Sequence, residues 1–130
     1  MIPVFQNRFT NSNGDKGNCQ TAAIASLLEL PIESVPYFFD FPDFWDAVFA
    51  FLWDQGYEYY GNIQPKLGEP IDWESMPGVD GYFIVAGPSP RWKNSRHAVI
   101  YKNGKMVHDP HPDGTGILFI DCVDDIRRRP

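Results

Sequence analysis

The sequence predicts an α+β fold, with helices first and an antiparallel sheet after them. Between Cys19 and Gly56 the apolar residues recur at helical spacing. After Gly56 the chain changes to short β-branched and aromatic runs separated by Gly, Pro, Asn and Asp. At 130 residues, 43% of them hydrophobic, with ten Phe, six Tyr and four Trp, the chain has the size and apolar content of one packed domain and not of a disordered segment.

Taken in order, residues 2 to 6 read as a short extended segment, followed by the polar, glycine-containing loop Asn11-Ser12-Asn13-Gly14-Asp15-Lys16-Gly17-Asn18. A helix then starts at Cys19, with Cys19, Ala22, Ala23, Ser26, Leu27 and Leu30 on one face, Asn18 as N-cap and Pro31 as stop. A second helix fits about residues 43 to 55. Asp43 caps it, Gly56 suits its last turn, and Trp45, Val48, Phe49, Leu52 and Trp53 form one stripe. Strands are expected at about Tyr57–Tyr60, Tyr82–Ala86, His97–Tyr101, Lys105–Asp109 and Leu118–Cys122. The charged end, residues 122 to 130, reads as a frayed, solvated tail.

Seventeen acidic against eleven basic residues, a net charge of −6, argue against a nucleic-acid partner. No stretch approaches the ~18 apolar residues of a membrane span. The start, Met1-Ile2-Pro3-Val4-Phe5-Gln6, lacks the features of a signal peptide, so a cytoplasmic location is expected, with Cys19 and Cys122 as thiols. Two cysteines are too few for a cysteine-built zinc site. His108, Asp109 and His111 are possible ligands, but His108 and Asp109 on one strand point to opposite faces, and no metal is expected.

Cys19 carries the candidate chemistry. At the first turn of a helix, unpaired N–H groups and the macrodipole favour a thiolate over a thiol. An inert core cysteine would occupy the same stripe. His97 opens an apolar strand, and a histidine on a sheet facing a cysteine on a helix is the pairing that thiol hydrolases require. A third residue must hold the ring through its other nitrogen.

Two hairpin registers are open for that third residue. In a two-residue Asn103-Gly104 turn, Lys102 pairs with Lys105, and Asp109 projects away from His97. In a three-residue loop, Lys102-Asn103-Gly104, Tyr101 pairs with Lys105 and Asp109 lies directly across from His97. The second register also pairs Val99 with Val107 and Ile100 with Met106, and is the one expected. Beside His97, the loop from Gly87 to Arg96, with Trp92 and Arg96, is placed to contact substrate. Its local positive charge would suit an acidic or carboxylate-bearing partner.

The runs Ile2-Pro3-Val4-Phe5-Gln6, Gly17-Asn18-Cys19-Gln20-Thr21-Ala22-Ala23, His97-Ala98-Val99-Ile100 and Val107-His108-Asp109-Pro110 resemble the papain-like cysteine peptidases, most closely their compact bacteriocin-processing branch. The whole chain is also similar to small proteins of bacterial and bacteriophage genomes. The resemblance implies a papain-like fold acting on a peptide or protein without a cofactor. Cys19 would be nucleophile, His97 general base and acid, Asp109 the orienting residue, and Gln6 the oxyanion-hole amide. Where the family often has Cys-Gly-Pro, this chain has Cys19-Gln20-Thr21, so Gln20 and Asn18 compete with Gln6 for the amide role. The alternative is an inactive papain-like module that uses the groove to hold a protein partner, such as a host protein if the gene is viral. A third reading makes the aromatic second helix an assembly interface.

Overall fold

The computed structural model describes residues Met1–Pro130 and is a mixed α+β fold with a five-stranded antiparallel sheet. Helix α1 spans Cys19–Leu28 and α2 spans Phe44–Asp54. The strands are β1 (Tyr57–Ile63), β2 (Tyr82–Pro88), β3 (Arg96–Lys102), β4 (Lys105–His108) and β5 (Cys122–Arg128), arranged in the order β1-β5-β2-β3-β4. No single helix is long and apolar enough to cross a membrane.

Both helices pack on one face of the sheet. Ala23, Ile24, Leu27, Val48 and Leu52 meet Ile84, Ala98, Ile100 and Ile126 in one continuous core. Val85, Val99 and Val123 point to the other face, which Met76, Trp73 and the segment containing Ile117 and Ile120 cover. Helix α1 is more deeply enclosed than its stripe implies, with every residue from Thr21 to Leu28 buried. Residues 2 to 6 strap its outer side: the Ile2 N–H donates to the Ser26 carbonyl and the Val4 N–H to Ser26 Oγ. The helix ends before Pro31, at left-handed Glu29, where the Leu30 N–H closes on the Ala25 carbonyl.

Asp43 caps α2 as expected, accepting from the Asp46 N–H. The helix is rotated from the expected stripe. Val48 and Leu52 are buried with Phe44, Ala47 and Phe51 packed beside them, whereas Trp45, Phe49 and Trp53 stay about half exposed. Tyr59 lies against the rings of Trp45 and Phe49, and the Arg129 guanidinium sits over Trp53. Aromatic residues fill both faces of this helix, so composition alone did not separate inner from outer.

Two expectations at the C-terminal end are overturned. Residues 118 to 121 are not a strand, and residues 122 to 128 are no frayed tail: they form β5, hydrogen-bonded between β1 and β2. The charges that suggest a tail are absorbed locally. Arg127 pairs with Asp125, Arg128 with Asp80, and Val123 and Ile126 supply one buried apolar residue to each face.

Gly87 is fixed by the segment preceding β5. A Cβ there would sit 1.9 Å from the Phe119 carbonyl oxygen, with neighbouring backbone held by the bonds of Leu118 N–H to Pro88 O and Asp121 N–H to Ala86 O. Gly87→Ala is therefore expected to cost about 3 kcal/mol. Urea unfolding measures it, and a loss below about 0.5 kcal/mol would contradict this close approach.

Candidate active site

Three far-apart stretches meet at one end of the sheet. Cys19 opens α1, partly exposed, in a cleft of about 1010 Å³ that His97 also lines. The N–H groups of Cys19, Gln20 and Thr21 have no partner in the fold; the first helical bond runs from the Ala22 N–H to the Asn18 carbonyl. The N-terminal end of α1 therefore presents donors and the positive end of its dipole beside the sulfur.

Asn18 departs from its expected roles. Its side chain does not cap α1. Its Oδ1 accepts from the N–H groups of Asn7 and Arg8, and its Nδ2 donates to Asn7 Oδ1. Buried and committed to this loop, it positions the entry to Cys19 while still lining the cleft.

His97 and Asp109 are in contact: ring Nε2 lies 2.6 Å from Asp109 Oδ1, with both side chains almost fully buried. The route differs from the expected register. Asn103 and Gly104, with φ of 53° and 75°, form the two-residue turn, and Lys102 pairs with Lys105. That register alone would turn Asp109 away from His97. A bulge intervenes: Tyr101 pairs with Met106 but Ile100 with His108, leaving Val107 as the extra residue. Continued by one residue, the shifted register sets Asp109 opposite Val99, on the face of His97 and diagonal to it. The apolar pairing that favoured the three-residue loop misled, because Met106 and Val107 are exposed.

Asp109 is fully engaged. Besides the imidazole it accepts from the His111 N–H on Oδ1 and from the Gly116 N–H on Oδ2. Burial pushes its carboxyl up, but the bonds from His97 and these two N–H groups outweigh that and lower it to about 2. Burial alone would lower His97. The bond to Asp109, together with hydrogen bonding and charge from Cys19, raises it instead to about 9. Since Nε2 faces Asp109, Nδ1 is the nitrogen left for the sulfur.

The two other amides differ. Gln6 is buried, its Nε2 donating to the Arg8 carbonyl and pressed near Gly17, where a Cβ would come within 3.1 Å of it; its Oε1 has no partner. The Gln20 Nε2 is buried without any partner, beside Cys19 on the cleft wall. Gln6 Nε2 is thus committed to Arg8, whereas Gln20 Nε2 is uncommitted but enclosed.

No protein-family model, curated protein or solved structure matches this chain.

Trp92 and Arg96 line the cleft, and two of the three basic residues of their loop are neutralised locally, leaving only exposed Lys93 without an ion pair. Arg96 pairs with Asp121 and Arg91 with Asp113. His111 stands at the rim with its ring edge-on to that of His97, and His108 turns away to the Val4 carbonyl. The sequence reading missed the Gly116 and His111 donors to Asp109. The second was legible, since Asp-Pro followed by a residue whose N–H returns to the carboxylate is an Asx turn. It also missed Asp124 and Cys122, which line the cleft and lay in the stretch assigned to the tail.

Proposed function

We propose that this chain is a thiol-dependent acyl-transfer enzyme, a cysteine peptidase of papain-like architecture. The observation that carries the reading is the buried His97–Asp109 contact, which leaves ring Nδ1 uncommitted in the cleft that Cys19, at the N-terminus of α1, also lines. In the proposed reaction Cys19 Sγ attacks a carbonyl carbon as its proton passes to His97 Nδ1. The oxyanion is met by the unpaired N–H groups of α1 and by the amide of Gln20 or Gln6. His97 returns the proton to the departing amine, leaving a thioester on Cys19. It then takes a proton from the water that releases the acid. Asp109 accepts from Nε2 throughout, fixing the tautomer and steadying the imidazolium.

The reading is tested by incubating the protein with peptide esters and mapping adducts by mass spectrometry. An acyl group on the fragment containing Cys19, absent in Cys19→Ala, is expected. Acylation on Cys122 instead, or on neither cysteine, would contradict it and favour the binding-module alternative.

A further inference from the structure

The cleft extends from the Cys19–His97 pair across the sheet over three small side chains in one row: Ala98 on β3, Ala86 on β2 and Cys122 on β5. Beyond that row, two residues along β5, stands Asp124. It is 3% exposed and lines the same cleft. Its Oδ1 accepts from the Tyr59 hydroxyl at 2.6 Å and from Cys122 Sγ at 3.5 Å, while its Oδ2 makes no hydrogen bond in the fold. No Lys, Arg or His lies within ion-pair distance of it, whereas Asp121 on the same cleft has Arg96; Asp15, the other cleft carboxylate without such a partner, is exposed and bonded to Asn11.

The Asp124 Oδ2 is not sealed inside the fold, so an otherwise buried carboxyl without a counter-charge keeps one acceptor open to a group in the cleft. We propose that Asp124 is a specificity-determining residue, binding the cationic side chain of a Lys or Arg in the peptide held by the cleft. This rests on the peptide-processing reading above, and names the substrate class that the same cleft selects. The dimensions agree. Asp124 lies two strand spacings across the sheet and two residues along it from Ala98 beside His97, roughly 12 Å. That is the span of one or two extended residues together with a long side chain. Ala86 and Ala98 leave the floor open along this path, and Tyr59 holds the carboxyl in place from β1.

The groups facing Asp124 are Tyr59 from β1, Cys122 on its own strand and, further off, Arg96 of β3. Burial pushes the Asp124 carboxyl up, and Tyr59 and Cys122 oppose this only in part as neutral donors. An incoming ammonium or guanidinium supplies the charge they lack.

The test is equilibrium binding of two short peptides, identical except for lysine or norleucine at one position, to full-length Cys19→Ala, which cannot turn them over. With the charged position scanned along the peptide, lysine should bind about tenfold or more tighter than norleucine at one position, the scale of one charge-assisted hydrogen bond. In Cys19→Ala with Asp124→Asn, which keeps an acceptor for Tyr59, that ratio should fall to about one. Equal binding of the two peptides at every position, or binding of neither at millimolar concentration, would overturn the proposal. The first comparison keeps Asp124 intact, so it can overturn the proposal even if the Asn variant fails to fold. Lysine preference in a protein that never acylates Cys19 would leave this subsite standing while removing the enzyme reading; acylation without preference would do the reverse.

Discussion

Cys19→Ala and His97→Ala should each reduce kcat on any accepted peptide ester by about 1,000-fold or more, and the double variant should be scarcely worse than either single one. Nucleophile and base act as a unit, so their effects are not additive. KM should change little, because neither group is expected to supply ground-state binding. Cys19→Ala should fold unchanged, since Cys19 is partly exposed at the cleft. His97→Ala should lose stability by removing one partner of a buried pair, although Asp109 stays bonded to the His111 and Gly116 N–H groups, so kinetics are read on the folded fraction. Steady-state kinetics on the two single variants and the double variant provide the check. A single variant retaining more than about a tenth of wild-type kcat would exclude that residue from the chemistry.

Asp109→Ala should damage folding as well as turnover. It removes the acceptor of a buried imidazole and strands two backbone N–H groups in the interior. Breaking one partner of such a buried pair costs about 3–5 kcal/mol. The sign with pH follows from the two groups. Asp109 is held below its ordinary value, so its contribution to stability is fully present above about pH 3.8 and is lost as pH falls through about 2. His97 is held above its ordinary value, so its contribution is full below about pH 6.5 and is lost as pH rises through about 9. Urea unfolding of the wild-type protein should show declining stability between those last two values, and Asp109→Ala should flatten that decline. An Asp109→Ala protein within 1 kcal/mol of wild type would show that the carboxylate is not the structural anchor described here.

The candidate site was more legible than the sheet that carries it. Cys19 was readable because an Asn-Cys start to an alanine-rich helix is a local pattern, and the helix observed begins at that residue. His97 was readable because it opens an apolar run that could only be an inner strand. The link from His97 to Asp109 was right for a reason the sequence did not reveal. A bulge at Val107 depends on how two strands settle against the rest of the fold, and no residue type there announces it. Strand β5 was misread because a strand covered on both faces usually shows a continuous apolar run. Here Asp124, Asp125, Arg127 and Arg128 are accommodated by Tyr59, by each other and by Asp80, partners that only the assembled sheet provides. The same misreading hid Asp124 as a feature of the cleft.

The most direct test of the Cys19–His97–Asp109 assembly is the rate of iodoacetamide alkylation at each cysteine as a function of pH, read by mass spectrometry on the native protein. Burial and the neighbouring Asp124 push the Cys122 thiol up to about 12, so it should stay almost unlabelled at pH 7. Cys19, partly exposed in the cleft that His97 lines, should be labelled faster at the same pH, and His97→Ala should slow that labelling. Equal, slow labelling of the two cysteines at pH 7, or a Cys19 profile indifferent to His97→Ala, would contradict the assembly.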